Sequence, residues 1–262
     1  MSKPIVTLTT DFGLSDHFVG VMKGVILGIC REAEIVDITH QVKQYEVLEG
    51  AYVIAQVYPY FPKKTVHVVV VDPGVGSARR PILVEAAGQY FVGPDNGVLS
   101  MVYAREKSRV REITAEKFWL TPVSKTFHGR DVFAPCAAHL AISGAPARFG
   151  KLIVDHLRLG LQKPPRTSKR AWTGTILKID HFGNLVTNFH VDDFPEIRQR
   201  PFEMIVGIQR IHRLAPAYAD LAPGEACVIE GSSGYLEVSL NQSSAAQALG
   251  CGTGAPVELT LY

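Results

Sequence analysis

The chain has 262 residues, of which 47% are hydrophobic and 20% are charged, and its net charge is +2. These values are typical of a folded globular protein and argue against a disordered or fibrous one. The lysines and arginines form no long basic block, so we expect no nucleic-acid partner. No stretch approaches the ~20 apolar residues that a membrane span needs. Asp11 interrupts the apolar amino terminus too early for a secretory signal.

The cysteines are widely separated and lack the CxxC spacing of a zinc or redox site. They are Cys30, Cys136, Cys227 and Cys251. We expect most of them to be buried, reduced thiols, and this pattern favours a cytoplasmic protein.

The first part of the chain alternates between strand and helix patterns. The predicted elements are strand Ile5–Thr9, helix Asp16–Cys30, strand Glu34–Ile38, helix Val47–Tyr58 and strand Val66–Val71. This alternation predicts an α/β domain with a mainly parallel central sheet. In the first helix, Gly20, Gly24 and Gly28 recur every four residues and predict close packing of that helix on the sheet.

The segment Val66–Arg80, VHVVVVDPGVGSARR, is the most informative in the chain. A continuous valine run is typical of a strand that is covered on both faces in a parallel sheet. Asp72 then lies at the carboxyl end of a buried strand, where open α/β sheets bind ligands. We therefore treat Asp72 as a candidate reagent.

Shorter elements follow this segment. They are strands Ile82–Val84 and Tyr90–Val92, a helix around Val98–Tyr103 for which Asn96 is a candidate N-cap, and a helix from about Val132 to Ser143. The pattern then breaks down into prolines and charges at 161–170, which predicts a domain boundary.

We place the α/β domain at residues 1–163, a linker at 164–170 and a smaller β-rich domain, a barrel or a sandwich, at 171–262. Its predicted strands are Thr173–Ile179, Met204–Ile208, Cys227–Ile229, Leu236–Leu240 and Val257–Leu261.

Polar clusters stand at the predicted strand ends and helix starts of the first domain. They are Thr9–Gly13 with Asp16, Asp72–Gly74 with Arg79, Pro94–Asn96, and Phe127–Asp131. In a parallel sheet these loops converge on one edge. We therefore expect one ligand to be within reach of Asp11, Asp72, Arg79, His128 and Asp131.

Other interpretations of these residues remain open. The aspartates can be turn formers or helix caps, and Arg79 can simply pair with Asp72. Carboxylates with His128 also suit a divalent metal, although no HExxH or HxH pair is present and Arg79 would repel a cation. The glycines after Asp72 lack the rest of a phosphate-binding fingerprint and favour a tight loop instead.

Two loops of the second domain carry further candidates. Asn184 has the amide donor and acceptor needed to read the edge of an adenine, and Phe182 can stack on the base. Ser232 and Ser233 can hold a carboxylate. The alternative is that both loops are hairpin turns.

Six motifs, taken together, resemble the S-adenosyl-L-methionine (SAM) hydroxide adenosyltransferase family, which is similar to the fluorinase and chlorinase enzymes. The motifs are TDFGLSD at Thr10–Asp16, VDPGVGS at Val71–Ser77, GPDNG at Gly93–Gly97, TFHGRD at Thr126–Asp131, HFGNLVTN at His181–Asn188 and SSGYLEV at Ser232–Val238. They occur in the family's order, in both domains.

The resemblance implies an α/β domain joined to a β-barrel-like domain and a homotrimer that binds SAM between subunits. It implies that SAM is the substrate, hydrolysed to adenosine and L-methionine without a cofactor or metal, and that Asp72, Arg79 and His128 activate the water. It further implies Asp11 at the ribose hydroxyls, Asp16 at the methionine amine, Tyr45 and Phe127 at the ribose end, Phe182 and Asn184 at the adenine, and Ser232 and Ser233 at the methionine carboxylate.

The halogenases that the chain resembles have tyrosines where Asp72 and His128 stand. A carboxylate and an imidazole repel a halide and can move a proton, so water is the better nucleophile. Ser233 is a departure, because the halogenases have an arginine there. Two alternatives remain: a SAM or adenosine sensor without turnover, and a metal-dependent hydrolase that uses Asp11, Asp72 and His128.

Overall fold

The structure is a computed structural model and describes residues 3–160 and 163–262. The chain divides into two compact units, Met1–Gly160 and Leu161–Tyr262. Within the described ranges, none of the helices combines the length and the apolar character needed to cross a bilayer.

The first unit is built on a seven-stranded mixed sheet with the order β2-β1-β3-β5-β4-β6-β7. Its strands are β1 (Ile5–Thr10), β2 (Glu34–Thr39), β3 (Val66–Val70), β4 (Pro81–Ala86), β5 (Gln89–Pro94), β6 (Arg109–Glu112) and β7 (Leu152–Ile153). Strands β2, β1, β3 and β5 are parallel, whereas β4, β6 and β7 add antiparallel pairs. The predicted parallel arrangement is therefore found in the half of the sheet that carries Asp11 and Asp72.

Helices cover both faces of this sheet. They are α1 (Phe18–Ile29), α2 (Val47–Val57), α3 (Ser100–Arg105) and α4 (Ala134–Ser143), and α4 follows directly on a π-helical turn at Gly129–Phe133. Val66, Val68 and Val70 of β3 belong to the core beneath α1 and α4, and Val69 belongs to the core beneath α2 and α3. Strand β3 is thus buried on both faces, which explains its unbroken valine run.

The glycine face of α1 corrects one prediction. Helix α1 buries Val19, Met22 and Ile26. Gly20, Gly24 and Gly28 are exposed, and a Cβ placed on any of them would meet no atom within 4 Å. The expectation that these glycines pack closely on the sheet is therefore wrong, because larger apolar side chains occupy the buried stripe.

Asn96 is also used differently from the prediction. Helix α3 begins at Ser100 and has Leu99 at its N-cap. The Asn96 side chain accepts from Val98 N at 3.1 Å and donates to Val71 O at 2.8 Å. It therefore forms a local turn and braces the chain just before Asp72, rather than capping the helix.

The second unit is an eight-stranded sheet that curls into a half-barrel, with the order β11-β10-β15-β8-β9-β14-β13-β12. Its elements are β8 (Ala171–Ile179), β9 (Leu185–His190), β10 (Phe202–Val206), β11 (Gln209–Ile211), β12 (Leu214–Ala215), β13 (Ala226–Glu230), β14 (Tyr235–Leu240), α5 (Ala245–Leu249) and β15 (Pro256–Leu261). An α/β domain followed by a β-rich domain confirms the predicted fold class. Residues 165–168 bond back to 171–173 at the start of β8.

Candidate active site

Asp11 and Asp72 leave the sheet from adjacent strands. Strands β1 and β3 run in parallel with Thr10 opposite Val70, so the chain segments that follow them emerge side by side. Desolvation raises the pKa of Asp11, the hydrogen bond from Tyr45 N opposes this, and the charge of Asp72 adds a smaller increase. The structure thus places the two carboxylates at the same edge of the sheet.

Asp72 and Arg79 form a buried, bidentate ion pair. Arg79 Nε donates to Asp72 Oδ1 at 3.0 Å and Nη2 donates to Oδ2 at 2.5 Å. The two side chains are only 4% and 8% exposed, respectively. Such a paired fork fixes the orientation of both groups.

His128 completes this set through the same guanidinium. Its Nδ1 lies 2.7 Å from Arg79 Nη2. Because a guanidinium can only donate, Nδ1 is the acceptor, and the neutral imidazole carries its proton on Nε2. Desolvation, followed by the positive charge of Arg79, lowers the pKa of His128, while Asp72 and Asp131 oppose this effect. Neutral His128 is thus the form that fits the geometry.

Arg79 retains one unused donor. Its Nη1 is buried and has no hydrogen-bond partner among the described residues. An unpaired, buried N–H is costly, so this atom is suited to bind an oxygen supplied from outside the chain.

The loop after β3 brings Arg79 back to Asp72. Ser77 N donates to Gly74 O at 3.1 Å, and Val75 N donates to Asp72 O at 3.2 Å. Gly76 has a φ of +77°, and a Cβ there would lie 2.2 Å from Lys125 O. Glycine is therefore required for the loop to approach the segment that precedes His128.

The segment around His128 is anchored by an ion pair. Asp131 accepts from Arg130 Nε at 2.6 Å and from Ser124 N at 2.8 Å. Both hydrogen bonds to its buried carboxylate therefore come from the same loop. This differs from the expectation that Asp131 would face a bound ligand together with Asp72. His128 directly precedes the π-helical turn, a type of distortion that is common at functional sites.

Two aromatic residues predicted for the ribose end lie in different surroundings. Phe127 is buried and packs edge-on against Phe12 and Phe18, at 6.0 and 5.1 Å between ring centroids. Tyr45 is 70% exposed and has a φ of +68°, and its N donates to Asp11 Oδ2 at 3.0 Å. Asp16 is exposed in the bend before α1.

The remaining predicted residues belong to the second unit, which has its own cavity. Phe182, Asn184 and Ser232 line this cavity of about 820 Å³. Ser233 follows Ser232, and its buried Oγ has no hydrogen-bond partner among the described residues. Three of the four second-domain candidates thus line one cavity, as residues that bind one SAM molecule would.

Asp180 and Glu237 also line the cavity, although the sequence motifs that contain or adjoin them suggested no role for either residue. Asp180 Oδ1 accepts from the backbone N of Phe182 at 2.9 Å and of Asn184 at 2.8 Å, and Oδ2 accepts from Asn184 Nδ2 at 2.8 Å. Glu237 could have been found as an acidic residue between the apolar neighbours Leu236 and Val238.

Among the described residues, no group of three or more His, Cys, Asp or Glu side chains has an arrangement that could hold a metal ion. Among the groups near the candidate site, Asp72 is paired with Arg79, and Asp131 with Arg130.

Comparisons with known proteins agree over both units. Residues 6–150 match the SAM hydroxide adenosyltransferase N-terminal domain and residues 174–258 match the C-terminal domain of the same family. The chain is 37% identical to a Salinispora tropica (R)-S-adenosyl-L-methionine hydrolase, covering 98% of each protein. It is 36% identical to the Methanocaldococcus jannaschii protein of the same name, over 94% of this chain and 91% of that protein.

A solved structure gives the same result for the fold. The crystal structure of a conserved protein from Thermotoga maritima superposes with a TM-score of 0.89 at 37% identity, covering 98% of this chain and 99% of that one. On these matches, the chain belongs to the SAM hydroxide adenosyltransferase family.

Proposed function

We propose that this protein hydrolyses S-adenosyl-L-methionine to adenosine and L-methionine. The observation that carries the proposal is the linked set of Asp72, Arg79 and half-buried His128, in which Arg79 Nη1 has no partner among the described residues. The relatives named (R)-S-adenosyl-L-methionine hydrolase support the reaction and favour the (R) sulfonium epimer as substrate.

The leaving group of this reaction departs without assistance from an acid. The sulfonium sulfur departs as the neutral thioether of methionine, so no general acid is needed. Water attacks the ribose C5′ in line with the C5′–S bond, forms the new C5′–O bond and loses a proton. The protein must therefore hold one water molecule and accept its proton.

We assign the proton acceptor to Asp72. The His128 Nδ1 lone pair already accepts from Arg79, and the Nε2 of the neutral ring carries a proton. The Asp72 carboxylate accepts two bonds from Arg79, which leaves lone pairs for water. His128 then acts as a positioning residue that holds the guanidinium.

Arg79 supplies the electrostatic part of this mechanism. Its unpaired Nη1 can donate to the oxygen of the water as negative charge develops there. In a buried setting such a fixed donor stabilises the developing hydroxide more strongly than bulk water would. The same guanidinium holds the Asp72 carboxylate in a fixed orientation beside this oxygen.

The other residues would hold the substrate. In the first unit, Asp11 would bind the ribose hydroxyls, with Tyr45 and Phe127 at the ribose end and Asp16 at the methionine amine. In the second unit, Phe182 and Asn184 would bind adenine, and Ser232 and Ser233 the methionine carboxylate. The shared cavity supports the second group of assignments.

We further propose a homotrimer in which the first unit of one subunit and the second unit of its neighbour share each SAM molecule. The support is the family's architecture, implied by the resemblance in the six motifs. The cysteines are unpaired, which suits the reducing cytoplasm, where we place the enzyme.

Product analysis tests this function. Purified protein incubated with (R)-SAM should release adenosine and methionine in equal amounts, without added metal. Asp72→Asn should lower kcat by about 10²–10⁴-fold, the usual contribution of a general base. Asp155→Asn is the control, because that exposed carboxylate pairs with Arg80 and has no proposed part in the reaction. Tight adenosine binding without turnover would instead favour a sensor, and activity that depends on added Mg²⁺ or Zn²⁺ would favour a metal-dependent hydrolase.

A further inference from the structure

The cavity of the second unit has an acidic lining. Its charged lining residues are Asp180, Glu230 and Glu237, and no Lys or Arg of the described chain lines it. Two of these carboxylates are already used. Asp180 holds the turn at Phe182–Asn184, and Glu230 accepts from Arg198 Nε at 2.6 Å and from Nη2 at 2.8 Å. The third carboxylate, Glu237, accepts a long hydrogen bond from the Tyr218 hydroxyl.

Glu237 is a buried carboxylate at the wall of this cavity. The residue is 8% exposed on β14, whose neighbouring side chains Leu236 and Val238 belong to the apolar core. The Tyr218 hydroxyl donates to Oε2 at the long distance of 3.5 Å. A Cβ on Gly231 would lie 1.9 Å from Oε1, so the carboxylate lies directly against that glycine.

Holding this group without a cation is unfavourable. Desolvation raises the pKa of Glu237, and the nearby charge of Asp180 raises it further. A buried charge that lacks full hydrogen bonding costs stability. Such a group in a cavity indicates a ligand that supplies the missing donors.

The lining specifies the chemistry of that ligand. Asp180 Oδ2 already binds the Asn184 amide nitrogen, so Asn184 presents its Oδ1, which is an acceptor. Glu237 adds a second acceptor. Phe182 is 77% exposed and presents an aromatic face that favours a planar ring over an alkyl ammonium. A planar base that carries an exocyclic NH₂ group meets all three requirements.

We propose that Glu237 is a specificity-determining residue whose carboxylate accepts a hydrogen bond from the exocyclic amine of adenine. This inference rests on the proposed function, which supplies the adenosyl group. Glu237 then selects adenine against hypoxanthine, because the hypoxanthine oxygen at the same position is an acceptor and would face a carboxylate. Adenine is preferred because hypoxanthine would leave the buried Glu237 carboxylate without a hydrogen-bond donor, which costs binding free energy.

Calorimetric titration of the full-length protein with adenosine and with inosine tests this inference. Wild type should prefer adenosine. Glu237→Gln, which has nearly the same shape but can donate to the hypoxanthine oxygen, should reduce the preference about tenfold or more, as expected for a hydrogen bond to a charged group. Glu225→Gln is the matched control, since this partly exposed carboxylate of the same unit pairs with Arg213 and does not line the cavity, and it should keep the wild-type preference.

The outcomes separate this inference from the proposed function when SAM turnover is measured on the same preparations. Adenosine preference that depends on Glu237, in a protein that leaves SAM intact, would support the inference and refute the hydrolase. Turnover of SAM with the same preference in wild type and Glu237→Gln would overturn the inference alone. Failure of both nucleosides to bind would also overturn it.

Discussion

Arg79 connects the polar groups of the candidate site through a single planar side chain. Two of its nitrogens bind the two oxygens of Asp72, and Nη2 also reaches His128 Nδ1. This sharing explains why His128 must stay neutral. A proton on Nδ1 would face an N–H of the guanidinium and break the contact.

The loss of kcat/KM at low pH tests whether His128 must be neutral. Because desolvation and Arg79 lower the pKa of His128, the neutral form persists below the ordinary histidine value. We therefore expect kcat/KM to be constant near neutral pH and to fall only below about pH 6.5. His128→Asn can accept the same bond without titrating in this range, so it should move the fall to lower pH. A wild-type midpoint above 6.5 would contradict this account.

At the scale of the element, β3 carries a fully buried histidine on the strand that presents Asp72. His67 is fully buried, its Nδ1 lies 2.7 Å from Thr7 Oγ1, and its Nε2 lies 3.2 Å from Gln89 Oε1. Desolvation lowers the pKa of His67 to about 4, against the opposing bond to Gln89. The strand therefore depends on an uncharged histidine.

His67 predicts a stability that falls with acid. The unfolded state binds the proton at about pH 6.5 and the folded state only at about pH 4, so the contribution is complete above 6.5 and is lost as the pH falls towards 4. The difference corresponds to roughly 3 kcal/mol of unfolding free energy. Urea unfolding at pH 7.5 and 5.0 should show the loss of about 2 kcal/mol of this contribution, because pH 5.0 is still above the folded-state pKa of about 4. A His67→Gln variant should lose less stability between these two values, and an equal loss would exclude His67 as the cause.

In the first unit, the sequence predicted which segments form helices and strands better than it predicted which of their faces are buried. The valine run identified β3 because a strand buried on both faces has little choice of residue. Periodicity alone does not show which stripe of a largely apolar helix is buried, so the exposed glycines of α1 were assigned to the wrong face. Asn96 was predicted to be an N-cap because it precedes a helix. Its actual hydrogen bond to Val71 O joins segments that are far apart in the sequence, so local sequence patterns do not reveal it.

At the scale of the whole molecule, strands of the second unit were predicted only in part. The prediction omitted β9, β11 and β12, and two of these are very short. Asp72, Arg79 and His128 were found because polar residues at strand ends and helix starts are conspicuous in sequence. Glu237 was not predicted: its acidic side chain between two apolar neighbours was a signal, but the cavity that it lines exists only in the folded sheet.

The proposed sharing of SAM between neighbouring subunits predicts complementation. Asp72→Asn disables the first unit and Phe182→Ala weakens the second. Co-expressed in equal amounts and assembled at random, the two variants should restore about a quarter of the sites in a cyclic trimer, because each intact site needs one good unit from each neighbour. Sedimentation should give three chains. Activity no higher than that of the separate variants would indicate that each site is built from one chain.

The most direct test of the central claim is the origin of the oxygen in the product. Hydrolysis of (R)-SAM in H₂¹⁸O should place one ¹⁸O atom on the 5′ hydroxyl of adenosine, as detected by mass spectrometry, and none in methionine. This labelling requires water to attack C5′. Adenosine without the label, a product other than adenosine, or SAM that persists intact would contradict the proposed mechanism.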